Sequence, residues 1–99
     1  MHKLTKQTAI PKRVKMIVGE RDNWSCIICG GRGDPVAHVV SRAQLGRGIP
    51  ENIVTLCYTC HRKYDGEERA VYGKMIRDYL KEVYPQWKEE DMKAKKQRE

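Results

Sequence analysis

The chain has 99 residues, 39% of them hydrophobic and 33% charged, with no Phe, four Cys and a formal charge of +7. That length leaves room for one small domain and excludes a large self-sufficient apolar core, so a covalent or metal staple is physically welcome. No apolar run approaches the length of a membrane span. The basic balance suits a polyanionic partner, nucleic acid before acidic membrane, although a basic protein without such a partner has the same charge.

Residues 1–10, with Lys3 and Lys6 and no periodicity, read as a flexible basic arm. Met1 to Lys6 lacks the apolar stretch of a secretory signal, which points to a cytoplasmic location. Pro11 suits the start of a helix. The pattern then predicts a short helix from Lys12 to about Arg21, with Val14, Ile17 and Val18 inward and Lys12, Arg13 and Lys15 outward. Those three cations are candidates for phosphate contact, or an ordinary solvated face. Asp22 to Ser25 turns the chain, with Trp24 read as packing rather than as a base-stacking platform.

Cys26-Ile27-Ile28-Cys29-Gly30 forms a first knuckle, and Gly30 to Pro35 is turn material. Val36 to Val40 reads as a strand, with Ala37 and Val39 on one face and Val36, His38 and Val40 on the other. Ser41 to Pro50 is a loop bearing Arg42, Arg47, Gly46 and Gly48, suited to a phosphate backbone or to a plain hairpin connection. Glu51 to Leu56 leads into the second knuckle, Cys57-Tyr58-Thr59-Cys60, with Ile53, Val54 and Leu56 supplying core. From His61 the pattern turns helical. Val71, Met75, Ile76, Tyr79, Leu80 and Val83 mark an amphipathic helix over about Glu67 to Tyr84. Pro85 ends it, Trp87 is placed to pin a last turn onto the body, and Lys88 to Glu99 reads as a solvated helix or frayed end. The expected organisation is an arm over 1–10, a domain over 11–85 with its core in 22–65, and a charged tail over 86–99.

Two Cys-x-x-Cys pairs with 27 residues between Cys29 and Cys57 have the spacing of one tetrahedral site, in which Cys26, Cys29, Cys57 and Cys60 hold a structural Zn²⁺. Two disulfides are the alternative, disfavoured in a reducing compartment. Inside that frame lie His38, Asn52 and His61. An imidazole on a strand can take a proton from water, and one at a helix start can bind a divalent metal. A carboxamide between them can brace the loop. Phosphodiester hydrolysis needs such a base and such a cation. Asp65 lies four residues after His61, on the same face of a continuous helix, as a second metal ligand or else a solvated or capping residue.

The ordered motif Cys26-x-x-Cys29-Gly30, Ala37-His38-Val39-Val40-Ser41-Arg42 and Glu51-Asn52-Ile53-Val54-Thr55-Leu56-Cys57-x-x-Cys60-His61-Arg62-Lys63 resembles the HNH endonucleases. Their four-cysteine branch, common in bacteriophages and their hosts, is the most similar. The resemblance covers residues 12–65 and implies an α+β fold: a small zinc-stapled ββα-metal domain, treble-clef-like, with flanking N- and C-terminal helices. It implies His38 as general base, Asn52 as support for the active-site loop or metal, and His61 as ligand of a catalytic divalent metal such as Mg²⁺, Mn²⁺ or Ni²⁺. It further implies DNA as substrate, a nicking enzyme, phage or prophage origin in a bacterial cytoplasm, and phage DNA-packaging proteins as partners. Many members carry Asp or His where this chain has Ala37, and His where it has Asp65. The Ala37 departure leaves a rival reading, a zinc-knuckle module that binds nucleic acid without cutting it; a third is a structural zinc domain that docks protein, with His38 and His61 satisfied by backbone.

Overall fold

The computed structural model describes residues 8–94; the expected basic arm lies outside them except for its last three residues. A first helix, α1, spans Lys12–Arg21. The Pro11 carbonyl accepts the first helical bonds, from Val14 and Lys15 at 3.0 and 3.1 Å. Val14 and Val18 are buried as the periodicity predicts, but Ile17 is 48% exposed. The Trp24 ring lies over Gly19, where an added Cβ would fall 2.3 Å from it. That contact turns α1 toward Gly19 and leaves Ile17 outside. Trp24 therefore packs by one face on α1, not against the knuckle, and stays 40% exposed.

The two strands β1, Asp34–His38, and β2, Ile53–Leu56, pair antiparallel. Ala37 lies opposite Val54 and His38 opposite Ile53, and the register shifts between Asp34 and Ala37. β1 ends two residues before the expected Val40. Beyond His38 the partner of the main chain becomes Asn52: its carbonyl accepts from Val39 N and its side chain from Val40 N, both at 2.9 Å. All four residues of β2 are buried, which explains a run without polar alternation: the sheet is covered on both faces. Ile53 packs with Val14 and Val18 under α1. Val54 and Leu56 join Ala37, Val39, Val40, Tyr64, Ile76 and Leu80 in the larger core. Val40, expected beside His38, is thus core instead.

The helical stretch after the second knuckle is two helices, α2 (Tyr58–Asp65) and α3 (Arg69–Val83). α2 starts ahead of His61 because Cys57 caps it, its sulfur accepting from Cys60 N at 3.3 Å. The stripe predicted for α3 holds only in part: Ile76 and Leu80 are fully buried, while Val71, Met75 and Val83 are exposed. The inward face is Gly73, Ile76 and Leu80, flanked by half-buried Tyr72 and Tyr79. Gly73 is invisible to an apolar count, yet it leaves room for the Arg77 guanidinium, whose Nη1 would lie 2.8 Å from a Cβ there, while Tyr64 stands in ordinary contact at 3.7 Å.

A buried ionic network ties these layers. Arg21 donates to both Asp22 carboxylate oxygens, to the carbonyls of Pro50 and Ile53, and to the Tyr84 hydroxyl. Asp22 also accepts from Thr55 N at 3.0 Å and from the Tyr79 hydroxyl. Residues 88–94, expected as a solvated helix or frayed end, dock instead. Met92 and Ala94 are buried with Trp87, the Trp87 indole donates to the Glu51 carbonyl at 2.7 Å, and Lys93 bridges to Gly46. Among the described residues no helix is long and apolar enough to cross a membrane.

Candidate functional site

The four cysteines converge. Their sulfurs all lie within 4.8 Å of one another, with Cys29 and Cys57 3.7 Å apart. A tetrahedron with metal–sulfur bonds of about 2.3 Å has edges of about 3.8 Å, whereas bonded sulfurs lie about 2.05 Å apart. All four thiols are free, so the separation fits a shared cation and not a disulfide. Gly30, at φ +82°, makes the first knuckle possible by turning its N–H back to the Cys26 carbonyl at 2.8 Å. The thiols resist ionising together. Burial raises the Cys26 pKa, but backbone hydrogen bonds from Cys29, Cys57 and Ile28 outweigh it and bring it down to about 7. At Cys60, burial and the side chains of the other three cysteines push it up to about 12. A bound cation is what holds four thiolates side by side, and an all-sulfur set selects Zn²⁺.

Beside this cluster a cleft of about 180 Å³ is lined by Val36, His38, Ser41, Arg42, His61, Tyr64, Asp65 and Arg69. β1 delivers His38 and α2 delivers His61 and Asp65. His38 is half-buried, and its Nε2 lies 2.9 Å from the Thr8 carbonyl oxygen. A carbonyl only accepts, so Nε2 carries the hydrogen and the lone pair sits on Nδ1. Burial, then the charges of Arg42 and His61, hold the imidazole below the ordinary histidine range against the opposing pull of the Thr8 carbonyl. His61 Nε2 and the Asp65 carboxylate are 3.7 Å apart, with side chains 31% and 67% exposed. Two such donors, adjacent and open to the cleft, fit a divalent cation completed by water.

Asn52 is fully buried and does not reach the cleft. Its Oδ1 accepts from Val40 N, and its Nδ2 donates to the carbonyls of Val40 and Arg47. It clamps both ends of the loop that follows His38. Ala37 is also fully buried, in the core with Cys26 and Val54. The alternation that sets Ala37 on the face opposite His38 holds: Ala37 pairs with Val54, its side chain packs into the core, and it does not line the cleft.

The predicted basic residues divide. Arg42 lines the cleft, its Nε donating to the Thr8 hydroxyl at 3.3 Å. Arg47 turns instead to the C-terminal segment and donates to the Asp91 carbonyl. Lys12, Arg13 and Lys15 are exposed along α1 and do not line the cleft. Sequence reasoning missed three contributors. Thr8 is buried and touches both His38 and Arg42. Tyr64 donates to the Val39 carbonyl, holding the strand end next to His38. Arg69 brings a second guanidinium to the cleft. Only Arg69 had a sequence signal, as a cation one helical turn beyond Asp65.

The family model of the HNH endonucleases matches residues 26–67, which span both knuckles, β1, β2, His38, Asn52, His61 and Asp65. No curated protein and no solved structure matches the chain.

Proposed function

We propose that this chain is a metal-dependent HNH endonuclease that hydrolyses phosphodiester bonds of DNA. The observation that carries the reading is the meeting of His38, His61 and Asp65, all inside the segment that matches the family, in one cleft beside Arg42 and Arg69. His38 acts as general base: with Nε2 tied to Thr8, Nδ1 takes a proton from water as that water attacks phosphorus. His61 and Asp65 would hold the divalent metal, which when bound neutralises charge on the phosphate and the departing 3′-oxygen. Arg42 and Arg69 add positive charge at the same cleft. Asn52 acts at one remove, by fixing the loop that carries Arg42.

Lys12, Arg13 and Lys15 on α1 supply further phosphate contacts, strongest at low salt. Arg47 binds DNA only if it leaves Asp91. By the resemblance to the four-cysteine branch, the chain nicks DNA in a bacterial cytoplasm beside phage DNA-packaging proteins. One observation favours a rival: with Ala37 in the core, the cleft offers a catalytic metal two candidate ligands among the described residues, His61 and Asp65, as suits a binding module that no longer cuts. Incubating purified protein with supercoiled plasmid and Mg²⁺, Mn²⁺ or Ni²⁺ decides between them. Conversion to open-circle or linear DNA is expected; tight binding with intact supercoils under every metal establishes the binding module.

A further inference from the structure

The second knuckle presents an aromatic that neither the core nor the cleft uses. Tyr58 is 77% exposed, the most exposed of the large hydrophobic side chains among the described residues. Cys57 and Cys60 turn inward to the cluster, so Tyr58 and Thr59 between them turn outward. The Arg62 guanidinium lies over the Tyr58 ring, 5.7 Å from its centroid. Lys63 adds a cation, and together with Thr59, Gly66 and Glu67 these residues line a shallow depression of about 540 Å³. An exposed tyrosine is usually free to swing. Here Arg62 Nη1 also donates to its hydroxyl at 3.4 Å, which holds the ring against the helix.

Position on α2 gives the depression its meaning. His61 and Asp65 form one stripe of this helix, and Tyr58 and Arg62 form another. At about 100° per residue, Arg62 is one step around from His61, and Tyr58 stands one turn before Arg62 on the same side. A strand whose phosphate reached His61 would have a neighbouring nucleotide within reach of Tyr58. The chemistry present is that of a single-strand platform: an aromatic face with cations beside it for the backbone.

We propose that Tyr58 and Arg62 form a stacking shelf for an unpaired base flanking the cleft, so that the protein prefers gapped or frayed DNA to an intact duplex. The shelf rests on the nuclease reading for its substrate, but binding can be measured without cleavage. The experiment uses full-length protein carrying His38→Ala and no added divalent metal. The probes are three labelled oligonucleotides: an intact duplex, the same duplex with a one-nucleotide gap, and the single strand. A fluorescent purine analogue occupies the unpaired position.

Gapped and single-stranded DNA should bind tighter than duplex, with altered fluorescence of the analogue. Tyr58→Ala should weaken those two by about tenfold and leave the duplex unchanged. Tyr58→Trp should retain the preference, and Arg62→Gln should lower the salt slope by about one. Equal affinity for all three probes, unchanged fluorescence, or a Tyr58→Ala loss shared equally by the duplex overturns the shelf. The two readings fail separately. A wild-type protein that nicks plasmid but shows no preference among the probes refutes the shelf alone. One that shows the preference and never nicks refutes the nuclease alone.

Discussion

His38 and His61 share a cleft but are asked for different work, and single substitutions separate them. His38→Ala should lower the cleavage rate by about 10²–10⁴ while leaving zinc content and DNA affinity close to wild type, with a modest fall in melting temperature because the Thr8 carbonyl loses its Nε2–H donor. His61→Ala should also abolish cleavage but weaken divalent-metal binding, measurable by calorimetry, because it removes one of the two side chains proposed to hold the metal. Wild-type nicking by His38→Ala would remove the mechanism. The pH profile has a fixed sign. Burial and the neighbouring charges lower the His38 pKa, so the active neutral imidazole persists below the ordinary value of 6.5. Cleavage should rise through a midpoint below 6.5 and be flat at neutrality, and a bound cation pushes the same way. Protonation as pH falls through that folded pKa also costs stability, since the unfolded chain accepts the proton more readily. Position 37 behaves otherwise. Ala37→Asp puts a carboxylate at a fully buried site packed against Val54, so thermal melting should show a large loss of stability. A rise in activity at low Mg²⁺ would contradict the placement of residue 37 in the core.

Between elements, the clamp is the Arg21–Asp22 pair, where the end of α1 meets β2 and α3. Asp22 has a fully buried side chain, and its partners come from three elements. Burial raises its pKa, but Arg21 and Tyr79 outweigh that and hold it below 3.8, so its stabilisation is lost only as pH falls through that lower folded value. Asp22→Ala leaves the Arg21 guanidinium buried without its carboxylate and should cost about 3–5 kcal/mol, read from urea midpoints. A loss under about 1 kcal/mol would mean that solvent or the Pro50 and Ile53 carbonyls replace the carboxylate. None of this network was legible in the sequence, because Asp22 meets Tyr79 across 57 residues. The knuckles, both strands and the His61–Asp65 stripe were legible, since each is set by spacing within a few residues. The α3 face was half legible: Ile76 and Leu80 follow the period, but Val71 and Met75 stay exposed while Gly73, which no apolar count marks, lies inward. Thr8 was not legible at all: its carbonyl is a group that every residue has, and its hydroxyl meets Arg42 from 34 residues away.

At the scale of the molecule, the question is what makes so short a chain fold, and the cysteines differ in a way that answers it. Cys60 is buried in the main core with Tyr64 and Ile76, whereas Cys29 is exposed. If packing alone held the domain, Cys60→Ser would be costly and Cys29→Ser would cost within about 0.5 kcal/mol, as at an ordinary surface position. If a shared zinc holds it, both remove one of four ligands from a site whose apparent binding free energy, about 10–16 kcal/mol, is comparable to the whole stability of about 5–15 kcal/mol typical of a domain. The knuckles carry the turn before β1 and the cap of α2, so losing the metal releases the base and the metal-binding helix together. Cys29→Ser and Cys60→Ser should therefore both abolish cooperative melting, despite their opposite exposure. A strong zinc chelator should do the same to wild type, reversed by Zn²⁺ and not by Mg²⁺. The decisive result is the circular dichroism melt of Cys29→Ser: a transition close to wild type would show that this fold stands without the four-thiolate site.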